Sequence, residues 1–167
     1  MTVSKLALFG GEKIRKHPFP VQNSIGEEEL IEVAKVVKSG KLSGFIGEYC
    51  PEFHGGPNVQ KIESRYAEYF GSKYAVSVNS ATSALHTALA ACGVGQGDEV
   101  LVTPYTMSAS ATAILMQNAC PVFVDIDEKT FNIDANKIEE KITNRTKAIV
   151  VVDLFGQPAD FKKIRKI

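Results

Sequence analysis

Cysteine is scarce in this chain, and the three present, Cys50, Cys92 and Cys120, are widely spaced and form no CxxC pair. Neither a disulfide framework nor a cysteine-ligated zinc site is therefore indicated. Cys92 and Cys120 stand in apolar contexts and are expected to pack as small core residues. There is also no excess of one charge, since 19 basic side chains balance 19 acidic ones. Without a basic face, nucleic acid is not an expected partner. Long apolar runs are missing too. The run Leu6–Phe9 ends at Gly10-Gly11, too soon for the core of a secretory signal. Nothing approaches the roughly 18 residues of a membrane span. These absences read as a soluble, cytoplasmic protein without a membrane partner. The histidines, His17, His54 and His86, are scattered and none pairs with a recognisable nucleophile, so no hydrolase triad is indicated.

What the chain does have is 44% apolar residues in 167, enough for one folded domain. Residues 1–24 read as an irregular arm stiffened by Pro18 and Pro20, and 25–167 as the domain. Leu30, Val33, Ala34 and Val37 fall on one face of a helix over 27–39, which Gly40 would end. Residues 40–57 are rich in glycine and hold two prolines. They are expected to form a mobile functional loop. A second amphipathic helix is expected over 59–70. Thereafter apolar runs at 74–78, 99–102, 121–125 and 148–152 alternate with helical stretches at 81–92, 106–117 and 135–142. This is the pattern of an α/β fold, a mostly parallel sheet with helices on both faces. Right-handed crossovers would gather Ser80–Thr82, Thr103–Thr106, Asp125–Asp127 and Asp153–Gln157 along one sheet edge, where a ligand is expected.

Each of these loops has a structural reading beside the functional one. Asn79-Ser80-Ala81-Thr82 is a helix cap or, with several hydroxyls and the small Ala81, a cup whose free amides hold a phosphate. Thr103–Met107 is a proline-containing loop with Thr106 as the next N-cap, or it offers Tyr105 or Met107 as the wall of a slot for a flat ring. Asp125 and Asp127 fit a strand end and turn better than a metal or acid–base pair. Gln157 could donate to a ring substituent or could be an idle loop residue. Gly93-Val94-Gly95-Gln96-Gly97 follows a helix and precedes a strand, the reverse of a dinucleotide fingerprint; it reads as a helix C-cap and turn.

Taken together, the segments NSATSAL (79–85), GVGQGDEVLVTP (93–104), PVFVDIDEKTFNID (121–134), TNRTKA (143–148) and FGQPAD (155–160) resemble those of the DegT-type nucleotide-sugar aminotransferases. Gly55-Gly56-Pro57 followed by Glu63 is similar as well. These are fold-type-I enzymes that use pyridoxal 5'-phosphate (PLP), so the resemblance implies the large domain of that fold, in incomplete form, and a homodimer. It implies that Ser80, Ala81 and Thr82 hold the cofactor phosphate and that Met107 stands where an aromatic side chain usually covers the ring. Tyr105 would then contribute to that wall. Gln157 matches the family's GQPAD loop, and its expected place on the sheet edge would bring it near the cofactor. It further implies an amino donor, glutamate or glutamine, and a keto-sugar acceptor. The lysine that forms the internal Schiff base and the aspartate that pairs with the pyridine nitrogen both lie beyond residue 167 in such proteins. No catalytic residue is therefore expected in this chain, which alone should be inactive. Two other readings stay open at this point, a non-catalytic binding or dimerisation module and one half of a split enzyme.

Overall fold

The computed structural model describes residues 5–21, 23–42, 44–45 and 47–167. Residues 1–4 and Gln22 of the expected arm, and Ser43 and Ile46 of the glycine-rich loop, lie outside the described residues. The chain divides into two units, Met1–Gln60 and Lys61–Ile167.

In the first unit, α1 runs from Glu27 to Ser39. Its start is fixed by the Glu29 carboxylate, which accepts the Gly26 amide at 2.7 Å, the returning half of a capping box. Gly40 ends it in left-handed conformation. Leu30, Val33 and Val37, the apolar stripe, are exposed. The loop that follows folds back on itself. The Phe45 amide donates to the Glu52 carbonyl at 2.8 Å, and a Cβ on Gly44 would meet the Gly56 nitrogen at 2.1 Å. Within the expected loop, Pro51–His54 forms a 3-10 turn. α2, Pro57–Phe70, begins in this unit and continues into the second; it starts two residues earlier than expected because proline suits a helix's first position.

The second unit is built around three parallel strands in the order β2-β1-β3: β1 Glu99–Val102, β2 Cys120–Phe123 and β3 Thr146–Val150. Central β1 is buried throughout, with Val100, Leu101 and Val102 fully so. Successive side chains point to opposite faces. On one face Val100 and Val102 pack with Val150, with Leu89 of α3 (Ala81–Ala91) and with Ala113 and Ile114 of α4 (Ala109–Leu115). On the other, Leu101 packs with Val124, Ile133, Ala135 and Ile138, and partly buried Ile164 of α5 (Phe161–Ile164) joins them. The expected α/β architecture is thus present, with three strands rather than four.

The differences have local causes. Residues 74–78 form no strand and belong to no ladder among the described residues. The Ser77 amide and hydroxyl donate to Glu63 of α2, at 2.7 and 2.9 Å, and Tyr74 and Val76 remain exposed. The expected helix at 135–142 is two 3-10 turns, Ala135–Lys137 and Glu139–Lys141. Its buried residues, Ala135 and Ile138, are three apart, the spacing that a 3-10 helix stacks on one side. α4 is shorter than 106–117, and its N-cap is Ser108, not Thr106. Ser108 carbonyl accepts the Thr112 amide at 2.9 Å, while the Thr106 hydroxyl is paired with that of Ser110 at 3.1 Å. Cys92 and Cys120 are exposed rather than in the core, because the first caps the outer end of α3 and the second opens an edge strand. Among the described residues no helix is long and apolar enough to cross a membrane.

Two devices set how the strands are entered. After α3, the Val94 amide donates to the Leu89 carbonyl at 3.1 Å and the Gly93 amide to that of Ala90 at 2.9 Å. This is a Schellman turn, with Gly93 at φ +73° and the buried pair Leu89 and Val94 packed across it. The glycine-rich stretch is therefore the C-cap its position indicates. At the same end of the sheet, the nearly buried Glu99 carboxylate accepts the Thr143 hydroxyl at 2.6 Å and the Arg145 guanidinium on its other oxygen. These partners, Thr143 foremost, hold its pKa below the usual carboxylate range.

Gly93→Ala is expected to cost about 1–2 kcal/mol in urea unfolding, the penalty for a side chain in left-handed conformation. Gly95→Ala, with open space and no positive φ, is the control, and equal costs at both positions would contradict the Schellman assignment. Because folding lowers the Glu99 pKa, its stabilisation is complete above the unfolded-state value and disappears as pH falls through the folded-state value. Glu99→Gln should therefore lower the melting temperature at neutral pH, with the difference from wild type shrinking on acidification. A difference that is constant with pH would rule this out.

Candidate functional site

Because the three strands are parallel, the segments that follow them leave from one edge. α3 reaches the same edge by its amino end. Its carboxyl end turns directly into β1, and both Leu85 and Leu89 lie against the β1 face, so α3 runs back along the strand. Ser80 is its N-cap, in extended conformation at φ −163°. The Ser80 hydroxyl accepts the Ser83 amide at 3.1 Å and pairs with the Ser83 hydroxyl, which in turn donates to Asn79 Oδ1 at 2.7 Å. The Ser80 carbonyl accepts the first helical bond, from Ala84. These bonds consume Ser80 Oγ in capping. Among the described residues, the amides of Ala81 and Thr82 and the Thr82 hydroxyl have no hydrogen-bond partner. Ser80 and Ala81 are exposed and Thr82 half-buried. Unpaired donors at the positive end of an 11-residue helix suit an anion.

Tyr105, half exposed, follows β1. Its ring lies 5.7 Å from that of Phe131 and 6.3 Å from that of Phe155, and the latter two are 6.2 Å apart. The segments after all three strands thus meet in one aromatic cluster. Met107 is exposed, with its carbonyl accepting the Ser110 amide. Gln157 is exposed and lines a groove of about 380 Å³ with Asp127, Asn132, Asp134 and Lys163. The Gln157 main chain is fixed, its amide donating to Leu154 and its carbonyl accepting Asn132 Nδ2 at 2.9 Å.

The aspartates after β2 serve the turn, as their position suggests. Asp125 accepts Lys137 Nζ at 2.9 Å and the Ile126 amide, and that lysine chiefly keeps its pKa low. Asp127 accepts the amides of Lys129 and Thr130 and the Thr130 hydroxyl, which keep its pKa low as well, Thr130 first. Among the described residues no cluster of His, Cys, Asp or Glu could hold a metal. The half-buried His86 contributes only its carbonyl to Gln117. One residue near the rim escaped the sequence reading, Asn132. It is 2% exposed and bonds residues 22 and 25 positions away. The only sequence signal is a polar residue in an otherwise apolar stretch, Phe131-Asn132-Ile133.

Residues 23–167 match the DegT/DnrJ/EryC1/StrS aminotransferase family. The chain is 46% identical over 140 residues to the spore coat polysaccharide biosynthesis protein SpsC of Bacillus subtilis, covering 84% of this chain and 33% of SpsC. It is also 46% identical over 112 residues to the UDP-2-acetamido-2-deoxy-3-oxo-D-glucuronate aminotransferase of Pseudomonas aeruginosa, covering 67% of this chain and 31% of that one. Its structure resembles the crystal structure of NtdA from Bacillus subtilis with bound cofactor PMP, with a TM-score of 0.76 and 34% identity over 93% of this chain and 34% of that chain. The chain spans about a third of the length of the curated relatives it matches.

The capping geometry separates the roles of neighbouring hydroxyls. Ser80→Ala should cost about 1 kcal/mol of stability, the usual value of a lost N-cap, whereas Thr82→Val should leave the denaturation midpoint nearly unchanged. The reverse order in urea melts would refute the assignment of Ser80 as the cap.

Proposed function

The chain belongs to the DegT/DnrJ/EryC1/StrS aminotransferase family, and from that premise we propose that it supplies the phosphate-holding part of a PLP-dependent aminotransferase. That enzyme would move an amino group from glutamate or glutamine to the keto group of a nucleotide-linked sugar. The observation that carries this reading is the amino end of α3, where two amides and a hydroxyl, on exposed Ala81 and half-buried Thr82, are unspent beside a spent cap. A dianionic phosphate needs such donors, and no competing carboxylate occupies them. The relatives' names support the substrate class, since the Pseudomonas aeruginosa protein is named for a 3-oxo sugar on UDP.

In this arrangement the amides of Ala81 and Thr82 and the Thr82 hydroxyl would hold the phosphate, and Ser80 would keep the helix end rigid. Tyr105 and Met107, on the segment after β1, would border the ring, and Gln157, on the segment after β3, would offer a side-chain amide. When bound, the cofactor supplies an electron sink that the side chains lack. The lysine that would carry it and the aspartate that would pair with its ring nitrogen are expected on segments other than these 167 residues.

Thr82→Val in the intact protein is expected to weaken PLP binding about tenfold, the worth of a hydrogen bond to a charged group. Affinity for pyridoxal, which has no phosphate, should be unchanged in a fluorescence titration. Equal affinities of wild type and variant for PLP would remove the phosphate site from α3.

A further inference from the structure

We infer that Asn132 is a positioning residue for the cofactor rim, its carboxamide clamping the 154–157 loop so that Gln157 is held in place. The inference rests on the cofactor reading above. Asn132 follows β2 and is buried at 2% exposure. Its Oδ1 accepts the Leu154 amide at 2.8 Å, and its Nδ2 donates to the Gln157 carbonyl at 2.9 Å. Both ends of the four-residue loop are thereby tied to one side chain. Between the tied residues, Phe155 and Gly156 are both left-handed, at φ +54° and +79°. Asn132 is itself anchored, its carbonyl accepting the Asp127 amide at 2.9 Å.

The clamp needs an acceptor and a donor at one fixed spacing. Asparagine offers both. Aspartate has the same shape but can only accept when ionised, so it would keep the bond to Leu154 and turn a carboxylate oxygen towards the Gln157 carbonyl. An aliphatic residue would leave both backbone groups unpaired. Asn132 does not reach a ligand through this geometry. It acts through the loop it ties, whose Phe155 ring lies 6.3 Å from that of Tyr105 and which ends at Gln157.

The test is a double-mutant cycle in the intact protein, with PLP as the probe. Asn132→Asp and Gln157→Ala should each weaken PLP binding about tenfold, and the double variant should lose about tenfold again in total, not a hundredfold, because the two substitutions remove one effect. Both single variants should shift the absorption maximum of the bound cofactor in the same direction. Without cofactor, amide exchange over 154–157 should quicken in Asn132→Asp while that of Thr146–Val150 is unchanged. Additive losses, or a lowered melting temperature with unchanged affinity, absorption and exchange, would overturn the inference and leave the proposed function standing. Wild-type protein that takes up no PLP would instead overturn the proposed function, and this inference with it.

Discussion

β1 is hydrogen-bonded on both sides and covered on both faces, and the rest of the second unit follows from that constraint. A strand in this position has no water to fall back on, so each of its backbone groups must find a partner in β2 or β3. The three fully buried side chains contribute about 1.5–3 kcal/mol apiece by leaving water. Their alternation then determines what can cover the sheet. Val100 and Val102 demand one apolar layer and receive it from α3 and α4; Leu101 demands another and receives it from the 3-10 turns and α5. Parallel pairing leaves the connections no choice of edge. The exits of all three strands lie together, and the entry to β1 carries the amino end of α3 back to that same side.

The two edges of the sheet are chemically unlike. At the entry edge Glu99 has both oxygens engaged by Thr143 and Arg145, and one register slip sits beside it, where β3 inserts Lys147 between the partners of Glu99 and Val100. That edge is closed by its own polar groups. At the exit edge the acids are also occupied, Asp125 by Lys137 and Asp127 by its turn, but the donors at α3 are not. What is left over there is a surplus of N–H and O–H groups with carboxylates already neutralised or bound. Such a surplus favours an anion over a cation, and this asymmetry gives the phosphate reading its physical basis.

How much of this could be read from sequence depended on how local each cause was. α1, α3, β1 and the Gly93 turn were legible because periodicity, caps and a left-handed glycine all act within a few residues. The apolar run at 74–78 misled because such a run signals burial or pairing without naming the partner, and here Glu63 claims the Ser77 amide. The stretch 135–142 misled because two buried residues three apart suit either kind of helix. Apolar neighbours misplaced Cys92 and Cys120 for a related reason, since a helix end and an edge strand leave one side open whatever the flanking residues are. In the site, the donors at Ala81 and Thr82 were visible from the cap alone, whereas Asn132 was not. Its partners are more than twenty residues away, and nothing near it in sequence indicates them.

Backbone conformation adds a last step to the case for a constrained rim. Phe131 and Phe155 both adopt left-handed φ, a state that costs a non-glycine residue about 1–3 kcal/mol and persists only where surroundings impose it. The two residues lie on different connections, yet their rings meet each other and Tyr105. Stacking of such rings returns about 0.5–1.5 kcal/mol for each of the three pairs, of the same order as the strain of two residues. Fixed backbone contacts add to this, and the Asn132 side chain supplies two of them to the segment carrying Phe155. A loop that only connected β3 to α5 could relax by moving into solvent. This one is held bent, with Gln157 at its end.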